Sequence, residues 1–182
     1  MTQIKKFDKL SGANREIEAE HSKIHDGLAF ALSNINSLTA GSTAYYAFVG
    51  VTGYVPHWRL IRLNSTGAPF VISLYENPYL NVNSLGTQLT PYNMNRNSSI
   101  VSSLTAYLNP VINVNSLGTQ LEAEKTASTA VQGGSLSNPT IFEWIFNNGV
   151  NYVLAVKNED STTESYGTTF FWYSSVERIN SL

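Results

Sequence analysis

The chain has 182 residues, of which 42% are hydrophobic, 12% are aromatic and only 13% are charged. The charged share is about half of the roughly 25% usual in globular domains, and a formal net charge of -2 provides no clustered positive surface for nucleic acid or an anionic membrane. The absence of cysteine excludes disulfides and thiolate metal sites. We expect one domain, because a chain of this length buries roughly 70% of its unfolded surface.

Residues 1–24 are charged and poor in aromatics, and we predict an N-terminal arm there, either a short helix or an extended segment. The first residues lack the apolar stretch of a secretory signal peptide. No apolar run reaches the roughly 20 residues needed to span a bilayer. We therefore expect a protein that is made and assembled in the cytoplasm. The basic residues of the arm are candidates for binding a partner: Lys5, Lys6, Lys9 and Arg15.

In residues 25–182, short apolar runs alternate with turn residues, which is typical of an all-β domain. The clearest runs are residues 28–32, 45–49, 58–63, 70–75, 100–108, 141–146, 152–156 and 168–173. Residues 147–149, with the sequence Asn-Asn-Gly, predict a hairpin, because both residues of an Asn-Gly step accept positive φ. About eight antiparallel strands predict a two-sheet antiparallel β-sandwich, jelly-roll-like, that carries the N-terminal arm.

An internal repeat is the sharpest feature of the sequence. Residues 75–89, YENPYLNVNSLGTQL, recur 32 residues later as residues 107–121, YLNPVINVNSLGTQL, with 12 of 15 positions identical. Two copies are too few for a stacked solenoid. The favoured interpretation is a duplicated strand end and loop at one rim of the sandwich; the other is a pair of matched contact loops rich in uncharged hydrogen-bonding groups. The candidate contact residues are Asn81, Asn83, Asn113 and Asn115.

The sequence does not contain the motifs of a catalytic or metal site. His21 and His25 are four residues apart and would share one side of a helix, but a third ligand and the usual glutamate beside the first histidine are missing. Neither a Gly-x-Ser-x-Gly turn nor a phosphate loop occurs. The few carboxylates would have to oppose each other across a cleft to hydrolyse a glycoside. We predict no catalytic residues, no metal and no cofactor, with a zinc or carboxylate hydrolase as a minor alternative.

Residues 21–30, HSKIHDGLAF, resemble the start of a group of tailed-bacteriophage virion proteins with a His-x-x-x-His-x-Gly-x-x-Phe-like signature. Residues 86–99, GTQLTPYNMNRNSS, are similar to the same group's Gly-Thr-x-Leu-x-Pro-x-Asn-x-Asn-Arg-Asn-Ser block. Shorter similarities follow at residues 74–76, 149–154 and 171–173. The group is that of capsid decoration proteins, also called cement or auxiliary head proteins. The resemblance covers most of the chain from His21, and the second copy of the repeat departs from it.

The resemblance implies a non-enzymatic β-sandwich on the virion surface that binds the major capsid protein, stabilises the shell and forms a homotrimer, without contacting nucleic acid or membrane. In the polar turn at residues 93–97, Arg96 carries a planar five-donor fork suited to a partner's carbonyls or carboxylate. An equally good interpretation is that Arg96 ties down its own loop. The alternative function is a phage fibre or a receptor-binding or carbohydrate-binding β-sandwich module, because sandwiches rich in Asn and aromatics can hold sugars.

Overall fold

The computed structural model describes residues 3–7, 14–50, 52–65, 68–81, 83–126, 134–135 and 142–176. Nearly all of the regular elements are strands, which confirms the predicted all-β class. Each apolar run predicted from the sequence overlaps one of them. The elements are β1 (Gln3–Phe7), β2 (Asn14–Glu18), α1 (Ala19–His25), β3 (Ala29–Leu38), β4 (Thr43–Gly50), β5 (Tyr54–Ser65), β6 (Phe70–Glu76), β7 (Thr87–Leu89), β8 (Tyr92–Asn93), β9 (Leu104–Leu108), a 3-10 turn (Val114–Ser116), β10 (Thr119–Lys125), β11 (Gly134–Ser135), β12 (Phe142–Ile145), β13 (Tyr152–Asn158) and β14 (Glu164–Val176).

Two six-stranded antiparallel sheets form the body of the protein. The first sheet has the strand order β10-β6-β13-β4-β9-β7. The second sheet has the order β11-β5-β14-β3-β8, and β12 also pairs with β5. The sheets pack face to face, so the predicted two-sheet antiparallel sandwich is confirmed. Its jelly-roll connectivity stays a prediction.

Aromatic side chains from both sheets fill the space between them. Phe48 of β4 lies edge-on to Trp58 of β5 and to Phe170 of β14, with ring centroids 5.2 Å apart in both pairs. Phe146 stacks on Tyr152 with ring centroids 3.7 Å apart. All of these rings are buried, and apolar burial is the main favourable term in folding. Trp58 and Phe170, which lie in apolar runs of the sequence, are therefore core residues.

Two buried tyrosines join the inner faces of the sheets through their hydroxyl groups. The Tyr46 hydroxyl lies 3.1 Å from Asn34 Oδ1 and 3.1 Å from the Tyr166 hydroxyl, and the Thr168 hydroxyl donates to Tyr46 at 3.4 Å. Burial raises the pKa of both tyrosines above the ordinary value of 10.0, because the charged form would lose its hydration. Both side chains are therefore neutral across the physiological pH range.

The hairpin predicted at residues 147–149 is wrong. β12 pairs with β5 in the second sheet, whereas β13 pairs with β4 and β6 in the first, so the turn carries the chain from one sheet to the other. Gly149 has a φ of 68°, but Asn148 is not among the residues with positive φ, which a two-residue type I′ hairpin requires at both central positions. Phe146 is buried between the sheets immediately before the turn. Core packing therefore decided the strand pairing, and the turn residues decided only the change of direction.

The N-terminal segment contains both kinds of structure that the sequence left open. β1 and β2 pair antiparallel as a two-stranded sheet of their own, with Gln3 opposite Glu18 and Phe7 opposite Asn14. α1 follows and leads into β3, and the Leu28 N–H donates to a carbonyl of the helix at 2.9 Å. The division of the chain at residue 24 stays a prediction. No helix in the described part of the chain has the length and apolar character needed to cross a membrane.

Candidate interaction surface

In each copy of the repeat, the last strand pairs with the strand that begins the other copy. The first copy starts at the end of β6 and finishes in β7, and the second starts at the end of β9 and finishes in β10. β7 pairs with β9, and β10 pairs with β6, so each copy ends beside the start of the other. In the first sheet, equivalent strands therefore lie on opposite sides of the central β13–β4 pair. The repeat thus has approximate twofold symmetry, and its connecting segments, residues 77–86 and 109–118, are called the paired loops below.

The paired loops contact each other at equivalent positions of the repeat. Leu80 forms an isolated antiparallel bridge with Ile112, which occupies the same position in the second copy. Two further hydrogen bonds are also related by the exchange of copies. They run from the Tyr79 N–H to the Ser116 carbonyl at 2.9 Å and from the Val111 N–H to the Ser84 carbonyl at 2.8 Å. The reciprocal bonding ties the two loops into one layer.

This layer covers the outer face of the first sheet. A second, smaller hydrophobic cluster lies beneath it, with Ala47 of β4, Val153 of β13 and Leu80 of the first loop as its buried members. The partly buried residues packed against these three are Tyr45, Val49, Leu85, Tyr107, Ile112 and Leu117. The paired loops do not simply occupy a rim of the sandwich, as the favoured sequence interpretation had it. They fold back across the sheet because its outer face is apolar and gains stability from being covered.

The candidate asparagines of the paired loops divide into two pairs. Asn81 Oδ1 accepts a hydrogen bond from the Asn83 N–H at 3.0 Å, and Asn113 Oδ1 accepts one from the Asn115 N–H, also at 3.0 Å. These are Asx turns, in which the side chain takes the place of a backbone acceptor. Asn81 and Asn113 therefore hold their own loops, whereas Asn83 and Asn115 present exposed side chains to solvent.

Each of the paired loops closes at a glycine with a left-handed backbone. Gly86 has a φ of 80° and Gly118 a φ of 85°. A Cβ atom on Gly86 would collide with the Leu108 carbonyl oxygen, and one on Gly118 with the Glu76 carbonyl oxygen. Close approach of each loop to the strand that starts the other copy therefore requires glycine at both positions.

The solvent side of the paired loops is apolar in places and carries no charge. Tyr79 is 71% exposed, Val111, at the same position of the second copy, is 64% exposed, and Val114 is 62% exposed. No residue of either loop is charged. Sequence reasoning missed these apolar residues, because a lone apolar residue in an Asn-rich loop does not show whether it faces a sheet or solvent.

The two segments that carry the resemblance contact each other. Asn93 Nδ2 donates to the Gly27 carbonyl at 2.7 Å, and Asn95 Nδ2 donates to the His25 carbonyl at 2.9 Å. Within the turn, the Asn95 N–H donates to Asn93 Oδ1 at 2.9 Å and the Asn97 N–H to Asn95 Oδ1 at 3.1 Å. These asparagines therefore fix the turn and hold it against the entry to β3.

Arg96 lies exposed within this turn. Among the residues that the structure describes, none forms a hydrogen bond or ion pair with its guanidinium group. Its neighbours Asn93 and Asn95 close the turn instead. Of the two interpretations that the sequence allowed, this arrangement favours a fork that is open to a partner.

The basic candidates of the arm lie on the N-terminal hairpin or outside the described residues. Lys5 and Lys6 belong to β1 and Arg15 to β2, with Lys6 directly opposite Arg15 in the strand register. Lys9 lies outside the described residues. Contact of these four residues with a partner stays a prediction.

The histidine pair lies on α1, as the spacing suggested. The rings of His21 and His25 have centroids 4.8 Å apart. Within the described ranges, no group of three or more His, Cys, Asp or Glu residues is placed to hold a metal ion. Two imidazoles alone do not complete the three protein ligands of a catalytic zinc site.

Several carboxylates are bound by neighbouring donors. Glu159 lies 2.8 Å from Lys125 Nζ and 3.0 Å from Lys157 Nζ, and hydrogen bonding to Lys125, then to Lys157, lowers the pKa of its carboxyl. Two other glutamates accept hydrogen bonds from ring-bearing side chains. Glu76 accepts one from the Tyr152 hydroxyl at 2.6 Å, and Glu122 accepts one from Trp144 Nε1 at 3.0 Å. These contacts tie the carboxylates to the scaffold.

A cavity of about 300 Å³ opens beside β7 and β8, at the edge of both sheets. Its walls mix apolar residues such as Ile100 and Val101 with polar ones such as Asn93 and Ser102. The one aromatic ring in its lining is that of Phe30, which is buried in the main core. The cavity therefore offers a small ligand polar groups but no exposed ring on which a sugar could stack.

No protein-family model and no curated protein matches the chain. The molecule itself defines a β-sandwich whose most distinctive surface is the layer of paired loops, with the exposed Arg96 turn as a separate polar feature. Both features are exposed on the described part of the chain.

Proposed function

We propose that this protein is a structural virion protein of a tailed bacteriophage, which binds the outer surface of the capsid and stabilises it. The observation that carries the proposal is the charge-free surface of the paired loops, built on hydrogen-bonded turns. A decoration protein makes many identical contacts on a shell. Apolar contacts and uncharged hydrogen bonds suit that task because salt screens them little.

The choice of a capsid as partner rests on the resemblance of residues 21–30 and 86–99 to decoration proteins. The contacts of Asn93 with Gly27 and of Asn95 with His25 support it, because they join the two resembling segments to each other in the fold. The proposed partners are the major capsid protein and further copies of the chain in a homotrimer. The proposed location is the capsid surface, after synthesis in the host cytoplasm.

We also infer a jelly-roll topology for the sandwich. The eight strands considered are β3, β4, β5, β6, β10, β12, β13 and β14, numbered one to eight in chain order. The second sheet then has the order 1-8-3-6 and the first has the order 2-7-4-5, with β7, β8 and β9 inserted between the fourth and fifth strands. This order supports the two Greek keys that make up a jelly roll.

The decisive experiment mixes the purified protein with undecorated heads of the phage whose genome carries the gene. Occupancy is measured by co-sedimentation at low and at high salt. We expect saturable binding that survives high salt, because salt screens the uncharged contacts of the paired loops little and weakens only the contributions of Arg96 and the basic arm. Failure of the wild-type protein to bind these heads would refute the proposal.

Three variants test which parts of the chain contact the shell. Arg96→Ala should weaken binding, and Arg96→Lys should restore it only in part, because lysine keeps the charge but lacks the planar fork.

Deletion of residues 1–20 should leave a folded sandwich, checked by circular dichroism, that binds heads poorly. Full occupancy by the truncated chain would remove the arm from the mechanism.

The cavity beside β7 and β8 favours a second candidate, a fibre or carbohydrate-binding module. Its volume of about 300 Å³ falls at the lower end of the range for ligand pockets, and Asn93 and Ser102 offer polar contacts to a sugar. The lack of an exposed ring in its lining counts against this candidate. Binding to host surface glycans, together with no binding to heads, would establish it in place of capsid decoration.

A further inference from the structure

We infer that the solvent side of the paired loops is a surface through which two copies of this chain associate. The inference goes beyond the proposed function, because it requires no capsid and assigns the paired loops to contacts between copies, which leaves Arg96 and the N-terminal arm to contact a shell. It starts from the three exposed apolar residues of the paired loops, Tyr79, Val111 and Val114. They project from a layer whose opposite side is already packed on the first sheet, and the described part of the chain leaves them open to another molecule.

The lack of charge on the paired loops limits which partners fit. Residues 77–86 and 109–118 contain no Asp, Glu, Lys, Arg or His. A charged partner surface would lose its hydration against this face without gaining an opposite charge, and that loss is costly. The matching partner face must therefore be uncharged and must offer both hydrogen-bond donors and acceptors. The same face of a second copy meets both conditions, since the Asn83 and Asn115 amides supply donors and acceptors together.

The internal symmetry of the layer makes contact between two such faces efficient. Tyr79 and Val111 occupy equivalent positions on the two sides of the approximate twofold axis. In a symmetric dimer, each contact made by one residue is repeated by its counterpart in the other copy. Because the face contains two equivalent loops, a contact that fits one loop recurs at the other. A pair of chains would therefore repeat one set of loop contacts four times.

The paired loops also lose little conformational freedom on association. Asx turns at Asn81 and Asn113 hold the two loops, and the bridge between Leu80 and Ile112 ties them together. A surface that is already ordered avoids much of the entropy cost that binding imposes on flexible loops. A modest apolar area is then sufficient for association between copies of the chain.

The test places a charge on the solvent side of the paired loops and measures the mass of the full-length chain. Tyr79→Asp and Val111→Asp are the test variants. Ile35→Asp and Val101→Asp are matched controls, because these residues are 85% and 84% exposed but lie elsewhere. Mass is followed by analytical ultracentrifugation over a range of protein concentrations. Circular dichroism confirms that each variant is folded.

We expect the wild-type chain and both controls to reach twice the mass of either test variant. The dissociation constant of the pair should rise roughly 100-fold in each test variant, because a symmetric interface contains each substitution twice. If the chain is also a trimer through another surface, the same doubling links two trimers and is lost in the same variants.

A wild-type mass equal to that of Tyr79→Asp and Val111→Asp at every concentration would overturn the inference. Loss of the doubling in Ile35→Asp or Val101→Asp as well would also overturn it, because the effect would then belong to added charge and not to the paired loops. Since no heads are present, the result is independent of the capsid-binding experiment. Either proposal can therefore fail alone.

Discussion

The outer faces of the two sheets differ in the side chains that they carry and in what covers them. On the second sheet, part of the face that points away from the core carries small polar side chains. Ser33 and Thr169 pair through their hydroxyls at 3.3 Å, and Ser37 and Ser165 pair at 3.0 Å. This part of the face meets water directly, as one side of an antiparallel sheet commonly does, whereas Ala31 and Phe171, next on the same face, are buried.

On the first sheet, the corresponding face is apolar and covered. Ala47 and Val153 are fully buried there, opposite each other in the pairing of β4 with β13. The cover is the layer of paired loops, which adds a third layer to this side of the molecule. The difference indicates that the duplication was retained for a structural reason: it provides two matching halves of one cover.

The largest expected effect comes from placing a charge under the cover. Val153→Asp buries a carboxylate with no partner in an apolar site, and we expect it to lower the free energy of unfolding by about 4 kcal/mol or more. Ser33→Asp, at an exposed position on the outer face of the second sheet, should cost about 1 kcal/mol or less. Urea denaturation of both variants measures the difference. Equal losses would show that the paired loops do not seal the first sheet.

Glycine substitutions test how tightly the cover is held. Gly86→Ala and Gly118→Ala add both left-handed strain and a collision with a backbone carbonyl, and each should cost about 3 kcal/mol. Gly41→Ala is the matched control, because Gly41 has a φ of 70° but nothing within 4 Å of the added Cβ. It should cost about 1 kcal/mol. Thermal unfolding would contradict the twofold arrangement if one loop glycine behaved like Gly41 and the other did not.

The sandwich could be predicted from the sequence because its strands carry their own patterns. Runs such as residues 58–63 and 168–173 indicate the strands, and their residues Trp58, Phe170 and Trp172 lie in the main core. The pairing at residues 147–149 could not be predicted, because a turn sequence specifies local φ and ψ but not which sheet receives the next strand. That choice depends on the burial of Phe146, which involves residues far away in the chain.

The sequence does contain a sign that the outer face of the first sheet is covered. The runs 45–49 and 152–156 are continuously apolar, whereas a strand with one wet face alternates. Such continuous runs indicate strands buried on both faces, and both strands proved to lie under the paired loops. What covers them could not be predicted, since the loop sequence alone does not show that Leu80 and Ile112 meet. The division of the asparagines into turn-forming and exposed pairs also needed the backbone geometry.

The inner faces of the two sheets, unlike the outer ones, are joined by the buried hydroxyl groups of Tyr46 and Tyr166. Alkaline pH should remove the stability that this contact contributes. Burial raises the pKa of Tyr46 and Tyr166 in the folded state above 10.0, so the folded chain holds these protons more tightly than the unfolded chain. Their contribution to stability is therefore complete below about pH 10 and is lost as the pH rises above it.

Tyr166→Phe isolates this contribution. The variant should lose about 1 kcal/mol at neutral pH, because the hydroxyl contact with Tyr46 is removed. Its loss of stability between neutral pH and strongly alkaline pH should be smaller than that of the wild type. Denaturation curves at a series of pH values check both statements. An identical alkaline decline in the two proteins would show that Tyr166 does not titrate with unfolding.

The smallest expected effect separates the asparagines that build the cover from those that face outward. Asn81→Ala and Asn113→Ala each remove an Asx acceptor and leave a backbone N–H without its partner, so each should cost about 1 kcal/mol. Asn83→Ala and Asn115→Ala remove exposed amides whose backbone N–H groups keep their acceptors, and they should change stability by less than about 0.5 kcal/mol. In the mass measurement the order should reverse: Asn83→Ala and Asn115→Ala should weaken pairing of the chains more than Asn81→Ala and Asn113→Ala do, because they remove the amides that face a partner. Chemical denaturation and ultracentrifugation of the same four alanine variants decide the matter. If Asn83→Ala and Asn115→Ala destabilise the chain as much as Asn81→Ala and Asn113→Ala, the outward-facing amides belong to the cover, and the surface available to a partner is reduced to Tyr79, Val111 and Val114.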